Sequence, residues 1–356
     1  MNKIKKPQFL KVSEVEKILL ARQLSLMLKS GVPIIDALNF LEKQSRSPSL
    51  KYILKLTTQD LERGLSLANS LRKFSNLFGE LFLNIIEVGE ISGNLDKNLE
   101  YLAEELKKQR ELKGKIISSF IYPAFILTAT LGITLLMIFI VFPKIMPIFT
   151  ELKVKLPLTT IIFIKVSTFL LKFWYLVLIS LFAFIFLIYF LLKIKKVKFF
   201  WDKMIINFPF LGTIVRYSNF VSFCRSLGLL VESGLDITRS LAITAKTVNN
   251  LFYQKLFEEA LFSINQGHPL QEFFSKKAKY FDNVFINLLE VGEKAGSLQS
   301  NLFYLVNYYE ESLSEKLKNF VTLLEPILLA LMGIIVAFIA LAIIMPIYQI
   351  TQQIGQ

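Results

Sequence analysis

Hydrophobic residues run without interruption by charge in three long stretches of the chain, and charged residues are dense between them. The first stretch is 116–143, the second is 173–192, and the third begins after Glu325. A helix over 116–143 would be about 42 Å long, whereas the hydrocarbon core of a bilayer is about 30 Å thick. The pattern therefore predicts three transmembrane helices, over 116–143, 173–192 and 326–348.

The stretches that carry charge have the spacing of amphipathic helices. Ile18, Leu24 and Leu28 fit one helical face, and Gly31 follows as a helix-ending residue. Ser66 is placed to cap a short helix. Alternation with a period of two is nowhere long enough to predict a sheet. We therefore predict an all-α membrane protein, with two tandem six-helix bundles in the cytoplasm and three transmembrane helices.

The two bundles are predicted to be copies of one unit, because their sequences match at a constant offset of 203 residues. ARQLSLMLKSGVPIIDAL at 21–38 aligns with CRSLGLLVESGLDITRSL at 224–241. EVGEISGNL at 87–95 aligns with EVGEKAGSL at 290–298. The repeat positions that we expect to be structural are Gly31 with Gly234, Gly89 with Gly292, Gly93 with Gly296, and Pro123 with Pro326.

Basic residues beside the spans indicate the orientation. They concentrate at 107–115 and 193–198, and such residues favour the cytoplasmic side. The segment 144–172 is also basic, with five Lys against one Glu, so the charge rule alone does not decide. The predicted order is a basic tail at 1–11, cytoplasmic domain 1 at 12–115, a span at 116–143, an extracytoplasmic loop at 144–172, a span at 173–192, cytoplasmic domain 2 at 193–325, a span at 326–348 and an extracytoplasmic tail at 349–356.

Composition narrows the chemistry. The net charge of +13 is spread along the chain, which argues against direct contact with nucleic acid. The one cysteine, Cys224, is predicted to be buried in a helix, and the one histidine, His268, is predicted to lie in a turn. Gly114-Lys115 lacks the remaining residues of a phosphate-binding loop. We therefore expect no catalytic residues, no cofactor and no enzymatic activity.

Two pairs of glutamates are the candidate contact residues, Glu87 and Glu90 around Gly89, and Glu290 and Glu293 around Gly292. A helix is expected to end at each central glycine, with the bend into the next helix at Gly93 and Gly296. Carboxylates near a helix C-terminus oppose the helix dipole. A partner contact is therefore predicted for the four glutamates, and cation binding is the alternative.

The predicted spans contain no Asp, Glu, Lys, Arg or His. Ion-coupled transporters usually carry such groups at mid-membrane, so a transporter or permease is the second hypothesis rather than the first. A membrane enzyme that acts through the repeated glutamates is the third. Glu325-Pro326 is expected to start the third membrane helix, since proline suits a first helical position.

Four segments together resemble a known family. They are FCRSLGLLVESGLDITRSL, the two EVGE-x-x-G-x-L segments, PKIMPIFTELKVKLPL, and LEPILLALMGIIVAFIALAIIMPIYQI. With three spans in this order, the chain resembles the type II secretion system F family from about Leu20 to Ile354. This family comprises the inner-membrane platform proteins of type II secretion and type IV pilus machines.

The resemblance implies six-helix cytoplasmic domains and a platform that works as a homo-oligomer in the inner membrane. Its implied partners are a cytoplasmic assembly ATPase, pilin-like subunits, other inner-membrane components of the machine and membrane lipid. ATPase motion would pass through the platform to lift pilins into a fibre, in protein secretion, pilus biogenesis or DNA uptake.

Overall fold

The computed structural model describes residue 7 and residues 10–151 and 157–354. Most of the predicted tail 1–11, part of the predicted loop 144–172 and the end of the predicted tail 349–356 lie outside the described residues. All regular elements in the described part are helical. They are α1 Glu14–Lys29, α2 Ile34–Gln44, α3 Pro48–Glu62, α4 Leu67–Arg72, α5 Ser75–Phe78, α6 Glu80–Ser92, α7 Leu95–Ser119, α8 Ile121–Leu136, a π-helical turn Met137–Val141, α9 Phe142–Glu151, α10 Leu158–Lys193, α11 Lys195–Ile206, α12 Leu211–Glu232, α13 Ile237–Thr247, α14 Leu251–Asn265, α15 Leu270–Lys276, α16 Asn283–Ala295 and α17 Leu298–Ile354.

The helices repeat at the offset that the sequence predicts. α2 and α13 begin and end at positions 203 residues apart, and so do α3 with α14 and α6 with α16. The all-α class, the three apolar helices and the repeat are therefore confirmed. Six helices for each bundle stays a prediction, since the first soluble stretch also contains the short α5 and the second begins with α11.

Local capping explains where the helices of the soluble stretches begin. Ser13 and Glu16 form a reciprocal capping box at α1, and the Ser66 hydroxyl accepts from Asn69 N at α4, as the sequence predicts. Asp236 caps α13 in the same way. Gly31 has φ +81°, a left-handed conformation that side-chain-bearing residues rarely adopt, so the glycine is needed where α1 ends.

The chain forms two compact units, of which the first comprises residues up to 115 together with 199–316. The two soluble repeats share this unit but have cores of different chemistry. The core of the first repeat is mainly leucine and isoleucine, whereas that of the second repeat contains many more aromatic residues. Phe220, for example, stacks with Phe285 at 5.0 Å between ring centroids and meets Tyr309 edge-on at 5.1 Å. The same helix layout is therefore filled by two different sets of side chains.

The second unit comprises 116–198 and 317–356. Its interior cluster joins the π-helical turn, α9, the first part of α10 and α17. Phe142 meets Phe163 edge-on at 5.3 Å, and the Thr160 hydroxyl donates to Ala342 O at 2.9 Å. The helix axis of α10 is interrupted at Phe173, and side chains from 174 to 191 are exposed within the unit. A lipid environment suits this second part of α10.

Three helices are long and apolar enough to cross a membrane, by length and composition. They reach beyond the predicted spans, because α9 continues to Glu151 and α10 begins at Leu158, both inside the predicted loop 144–172. The expectation that Pro326 starts a helix is wrong, since α17 is one helix from Leu298 to Ile354 with Pro326 inside it. A proline inside a helix lacks its own N–H and crowds the carbonyl four residues before it, and in membrane helices neighbouring helices and side chains satisfy the backbone groups that are freed.

Candidate functional site

The second glutamate of each EVGE segment caps a neighbouring helix. The Glu90 carboxylate accepts hydrogen bonds from the backbone N–H groups of Leu67, at 2.5 Å, and Ala68, at 2.9 Å. Glu293 accepts from Leu270 N at 3.0 Å and reaches the next backbone N–H of α15 at 3.4 Å. The first N–H groups of a helix have no partner within that helix, and a negative charge there suits its dipole. Both glutamates therefore hold the short helix of their own repeat against the EVGE helix.

The first glutamate of each segment makes different contacts in the two repeats. Glu87 binds Arg72 of its own repeat at 2.5 Å and Arg239 of the second repeat at 2.9 Å. Among the described residues, Glu290 forms an ion pair only with Lys294, one helical turn along α16. Glu87 therefore links the repeats, whereas the ion pair of the equivalent Glu290 stays within its own helix.

The expected helix ends at Gly89 and Gly292 are not there. Gly89 lies inside α6 and Gly292 lies inside α16, and the helices end at Gly93 and Gly296 in left-handed conformations. A Cβ atom on Gly89 would lie 2.9 Å from the Cα of Leu95, closer than such atoms approach. The central glycine is needed because the following helix packs directly on it, a close approach that local sequence does not signal.

A buried ion triad also joins the two repeats. Arg225 on α12 is 2% exposed, and its Nε lies 3.1 Å from a carboxylate oxygen of Glu105, which is 5% exposed, on α7. Its Nη2 lies 2.6 Å from a carboxylate oxygen of the half-buried Glu310 on α17. Gln109 donates to the other oxygen of Glu105 at 2.6 Å. The triad therefore joins α7 of the first repeat to α12 and α17 of the second.

Burial raises the pKa of the Glu105 carboxyl, and the positive charge of Arg225 opposes that rise. Arg225 Nη1 has no hydrogen-bond partner within the described residues. The triad is thus a charged group in the interior whose stability depends on the presence of every member.

Sequence reasoning missed this triad, although one signal was present. Arg225 stands 203 residues after Arg22, so the repeat carries arginine at both positions, but Arg22 is exposed. The partners are not repeated, because Tyr308 stands at the position of Glu105 and Lys107 at that of Glu310. Position alone therefore did not distinguish the buried arginine from the exposed one.

The other candidate residues lie where the sequence places them. Cys224 is fully buried, and burial raises the pKa of its thiol. His268 lies in the exposed turn before α15, with Nδ1 3.4 Å from Glu272. Among the described residues, no three His, Cys, Asp or Glu side chains lie close enough to hold a metal ion. The site is an arrangement of helix caps, glycine packing and ion pairs.

The family described as "Type II secretion system (T2SS), protein F" matches this chain twice, at residues 20–143 and 223–346. The chain belongs to the type II secretion system protein F family. The two matches begin and end 203 residues apart, so each repeat is a copy of the family unit. Each match covers a soluble helical stretch and the apolar stretch that follows it.

Relatives support the same family over most of the chain. It is 30% identical over 330 residues to the type IV pilus assembly protein PilC of Thermus thermophilus, covering 93% of this chain and 81% of the relative. Identity to PilC of Pseudomonas aeruginosa is 28%, over 97% and 92% of the two chains. Identity to the type II secretion system protein F of Vibrio cholerae is 27%, over 95% and 83%. The chain is thus a multi-pass membrane protein of the secretion and pilus platform family.

Proposed function

We propose that this chain is the inner-membrane platform of a type II secretion or type IV pilus machine. In this role it couples a cytoplasmic assembly ATPase to the insertion of pilin-like subunits into a fibre, for protein secretion, pilus biogenesis or DNA uptake. It acts without catalysis of its own, as a homo-oligomer in contact with lipid and with other inner-membrane components of the machine. Family membership and the double family match support this assignment.

One observation supports the proposed coupling between the ATPase and the membrane segments. α17 is unbroken from the second soluble repeat through the third apolar stretch, and Arg225 ties it to α7, whose chain leads into the first apolar stretch. The ion triad joins the helices that precede the first and third apolar stretches, and we propose that these two helices are displaced together. The triad is therefore the proposed link between ATPase motion and the membrane segments.

A clean deletion in the parent organism tests the role. Fibres or secretion should disappear while the assembly ATPase stays folded and active, and the intact gene should restore them. Complementation with the Arg225→Met variant should restore less than complementation with Arg22→Met, which changes the exposed arginine of the first repeat. Fibres or secretion in the deletion strain would contradict the platform role.

The proposed topology places 12–115 and 193–325 in the cytoplasm and 144–172 and 349–356 outside. Basic residues at 107–115 and 193–198 support it. Cys224→Ala removes the native thiol, and alanine is the residue at the equivalent position, Ala21. In that chain, Lys153→Cys and Gln353→Cys should react with an impermeant maleimide from outside the cell. Lys276→Cys should react only after lysis, and its labelling in intact cells would reverse the assignment.

The four repeated glutamates are proposed to contribute to docking the ATPase and to packing between protomers, with different parts. Glu90 and Glu293 act by holding α4 and α15, while Glu87 and Glu290 offer half-buried carboxylates at the surface. Glu290→Lys should weaken co-purification with the ATPase or with a tagged second copy of the chain. The matched control is Glu259→Lys, which reverses another half-buried, lysine-paired carboxylate in the same repeat. Equal co-purification of both variants would show that the EVGE segments are structural only.

A further inference from the structure

The helix that follows the second apolar stretch turns an aromatic face outward. Phe200 is 69% exposed on α11, Trp201 is 45% exposed and Met204 is 38% exposed. In the turn after the helix, Phe208 and Phe210 are also exposed. The spacing 200, 201, 204 and 208 places these side chains on one side of the helix and its extension. We name these five residues the α11 aromatic face.

The opposite side of α11 is already occupied, which fixes the direction of this face. Phe199 packs on Phe252 with ring centroids 5.9 Å apart, and Ile206 is buried in the core of the second repeat. The Asp202 carboxylate accepts from Leu251 N at 2.7 Å and so caps α14. The helix is therefore held in place, and the exposed aromatic side chains are not the inward face of a loose segment.

The turn after α11 holds its aromatic residues outward at a conformational cost. Phe210 has φ +63°, the one positive φ among non-glycine residues in the described part of the chain. With ψ −59° and the Leu211 N–H donating to Pro209 O, this is a γ-turn geometry that is rare and strained for a residue with a side chain. A Cβ atom on Gly212, two residues later, would lie 2.3 Å from Ile206 O, so the chain passes close to the end of α11 there. The turn presents phenylalanine where solvent alone would favour a polar residue.

Charge identifies the surface that this face suits. Lys196 and Lys203 are exposed along one edge of it, with the Lys203 ammonium also 5.8 Å from the Phe252 ring, and the one acidic residue of α11, Asp202, points inward. The second apolar stretch ends at Lys193, two residues before the helix begins. Aromatic side chains flanked by lysine, directly after a membrane span, have the composition of a helix that lies in the bilayer interface.

We propose that the α11 aromatic face lies in the headgroup region of an anionic bilayer and anchors the second repeat there. Phe200, Trp201 and Phe208 bury apolar area at the boundary with the acyl chains, and the lysines bind lipid phosphates. This contact is independent of the ATPase coupling proposed above, so failure of either leaves the other standing.

Trp201 itself reports the contact. The chain has two tryptophans, so Trp174→Phe leaves Trp201 as the only one in the full-length protein. In nanodiscs of phosphatidylcholine and phosphatidylglycerol, brominated lipid should quench Trp201 at least twofold, and aqueous iodide should quench it little. The control chain carries Trp174→Phe, Trp201→Phe and Phe262→Trp, which puts the single tryptophan at a 66% exposed site on α14. That tryptophan should be quenched by iodide and not by brominated lipid.

Two outcomes would overturn the proposal. Quenching of Trp201 by iodide as in the control chain would mean that the face is in water. Quenching by neither agent would mean that protein, such as a second copy of this chain, covers it.

The lysines are tested separately, with Lys196→Glu and Lys203→Glu combined in the single-tryptophan chain. Lipid quenching should fall at least by half in the anionic nanodiscs, while Cys224 stays protected from thiol reagents. Lys279→Glu, at an exposed lysine outside α11, should leave the quenching unchanged. Unchanged quenching after the double reversal would overturn the anionic-surface assignment.

Discussion

Replacement of Arg225 by methionine should destabilise the soluble unit more than any other single exchange of an arginine. The change keeps much of the volume and removes the charge that lies 3.1 Å from Glu105 and 2.6 Å from Glu310. Glu310 is about one-third exposed and regains water when its partner is lost. Glu105, at 5% exposure, keeps Gln109 as a neutral donor but has no water to replace the guanidinium. The loss therefore falls mainly on Glu105.

The loss of stability in Arg225→Met has an upper limit, because Glu105 can take up a proton and become neutral. A carboxyl of ordinary pKa near 4.3 needs about 3.7 kcal/mol to be neutral at pH 7, at about 1.36 kcal/mol per pH unit. At pH 5 the same step needs about 1 kcal/mol. Removal of one member of a buried pair typically costs about 3 to 5 kcal/mol, which agrees with the pH 7 figure.

The pH dependence has a definite sign. Burial raises the pKa of Glu105 in the folded protein, and Arg225 opposes the rise, so its removal raises that pKa further. A group whose pKa is higher in the folded than in the unfolded protein stabilises the fold at a pH below its unfolded pKa. That stabilisation is lost as the pH rises through the folded pKa. The variant should therefore approach the parent in stability as the pH falls from 7 to 5, and diverge from it as the pH rises.

Labelling of Cys224 measures the effect without complete unfolding. The thiol is fully buried next to Arg225 and is the only one in the chain, so a maleimide dye reacts with it only when the second repeat opens. A loss of about 3 kcal/mol corresponds to roughly 150-fold faster labelling at pH 7. The rate should be normalised to the rate in denaturant, which corrects for the intrinsic reactivity of the neighbouring thiol.

Two further variants decide whether the triad is the cause. Arg22→Met changes the repeat-equivalent, exposed arginine and should label at the parent rate. Arg225→Met combined with Glu105→Met should recover most of the loss, because no isolated charge remains in the interior. The reasoning is refuted if Arg225→Met labels less than fivefold faster than the parent at pH 7, or if the double variant is no slower than the single one.

Two other predictions concern the repeated motifs. Gly292→Ala should lower the free energy of unfolding by about 1 to 3 kcal/mol through overpacking, because its Cβ would lie 2.9 Å from Leu298 Cα. The control, Gly114→Ala, has open space around it and should be neutral or stabilising. The rate of Cys224 labelling compares the two variants. Glu90→Gln should speed hydrogen exchange of the Leu67 amide about fivefold through loss of about 1 kcal/mol of capping, and equal exchange in the parent would contradict the cap.

The helical layout was predictable from sequence because it depends on local and repeated signals. The offset of 203 residues fixes α13, α14 and α16 once α2, α3 and α6 are assigned, since both copies keep the same cap and glycine positions. The three apolar helices follow from charge-free length alone. Ser66 illustrates the local rule, because a hydroxyl before an apolar run predicts a helix start wherever the run is packed.

The roles of Gly89 and Glu90 were not predictable, because both depend on groups distant in sequence. Gly89 signals a helix end by propensity, yet here it admits α7 against α6, a contact set by tertiary packing. Glu90 is unfavourable near the end of its own helix, but its carboxylate lies at the beginning of another, α4, 23 residues earlier. Sequence periodicity describes one helix at a time, so it predicts neither the packing of α7 on Gly89 nor the contact of Glu90 with α4.

The asymmetry of the triad follows from how two copies of one unit meet. The first repeat contributes Glu87 and Glu105 to the contact, whereas the second contributes Arg225 and Arg239 from a different face. In such a head-to-tail contact, the first repeat does not use the face equivalent to that of Arg225 and Arg239, and the second does not use the face equivalent to that of Glu87 and Glu105. If the two repeats had identical faces, further units could bind in the same way without limit.

The sequence differs at just these unused positions. Asp36 stands at the position of Arg239, and Tyr308 stands at the position of Glu105. A third unit docked in the same way would bring Asp36 against Glu290, two like charges, and would give Arg22 no buried carboxylate. The same substitutions that hid the triad from sequence comparison therefore remove the ion pairs that a third repeat would need for this contact. A second copy of the chain that meets Glu290 has to do so by a contact other than this head-to-tail pairing.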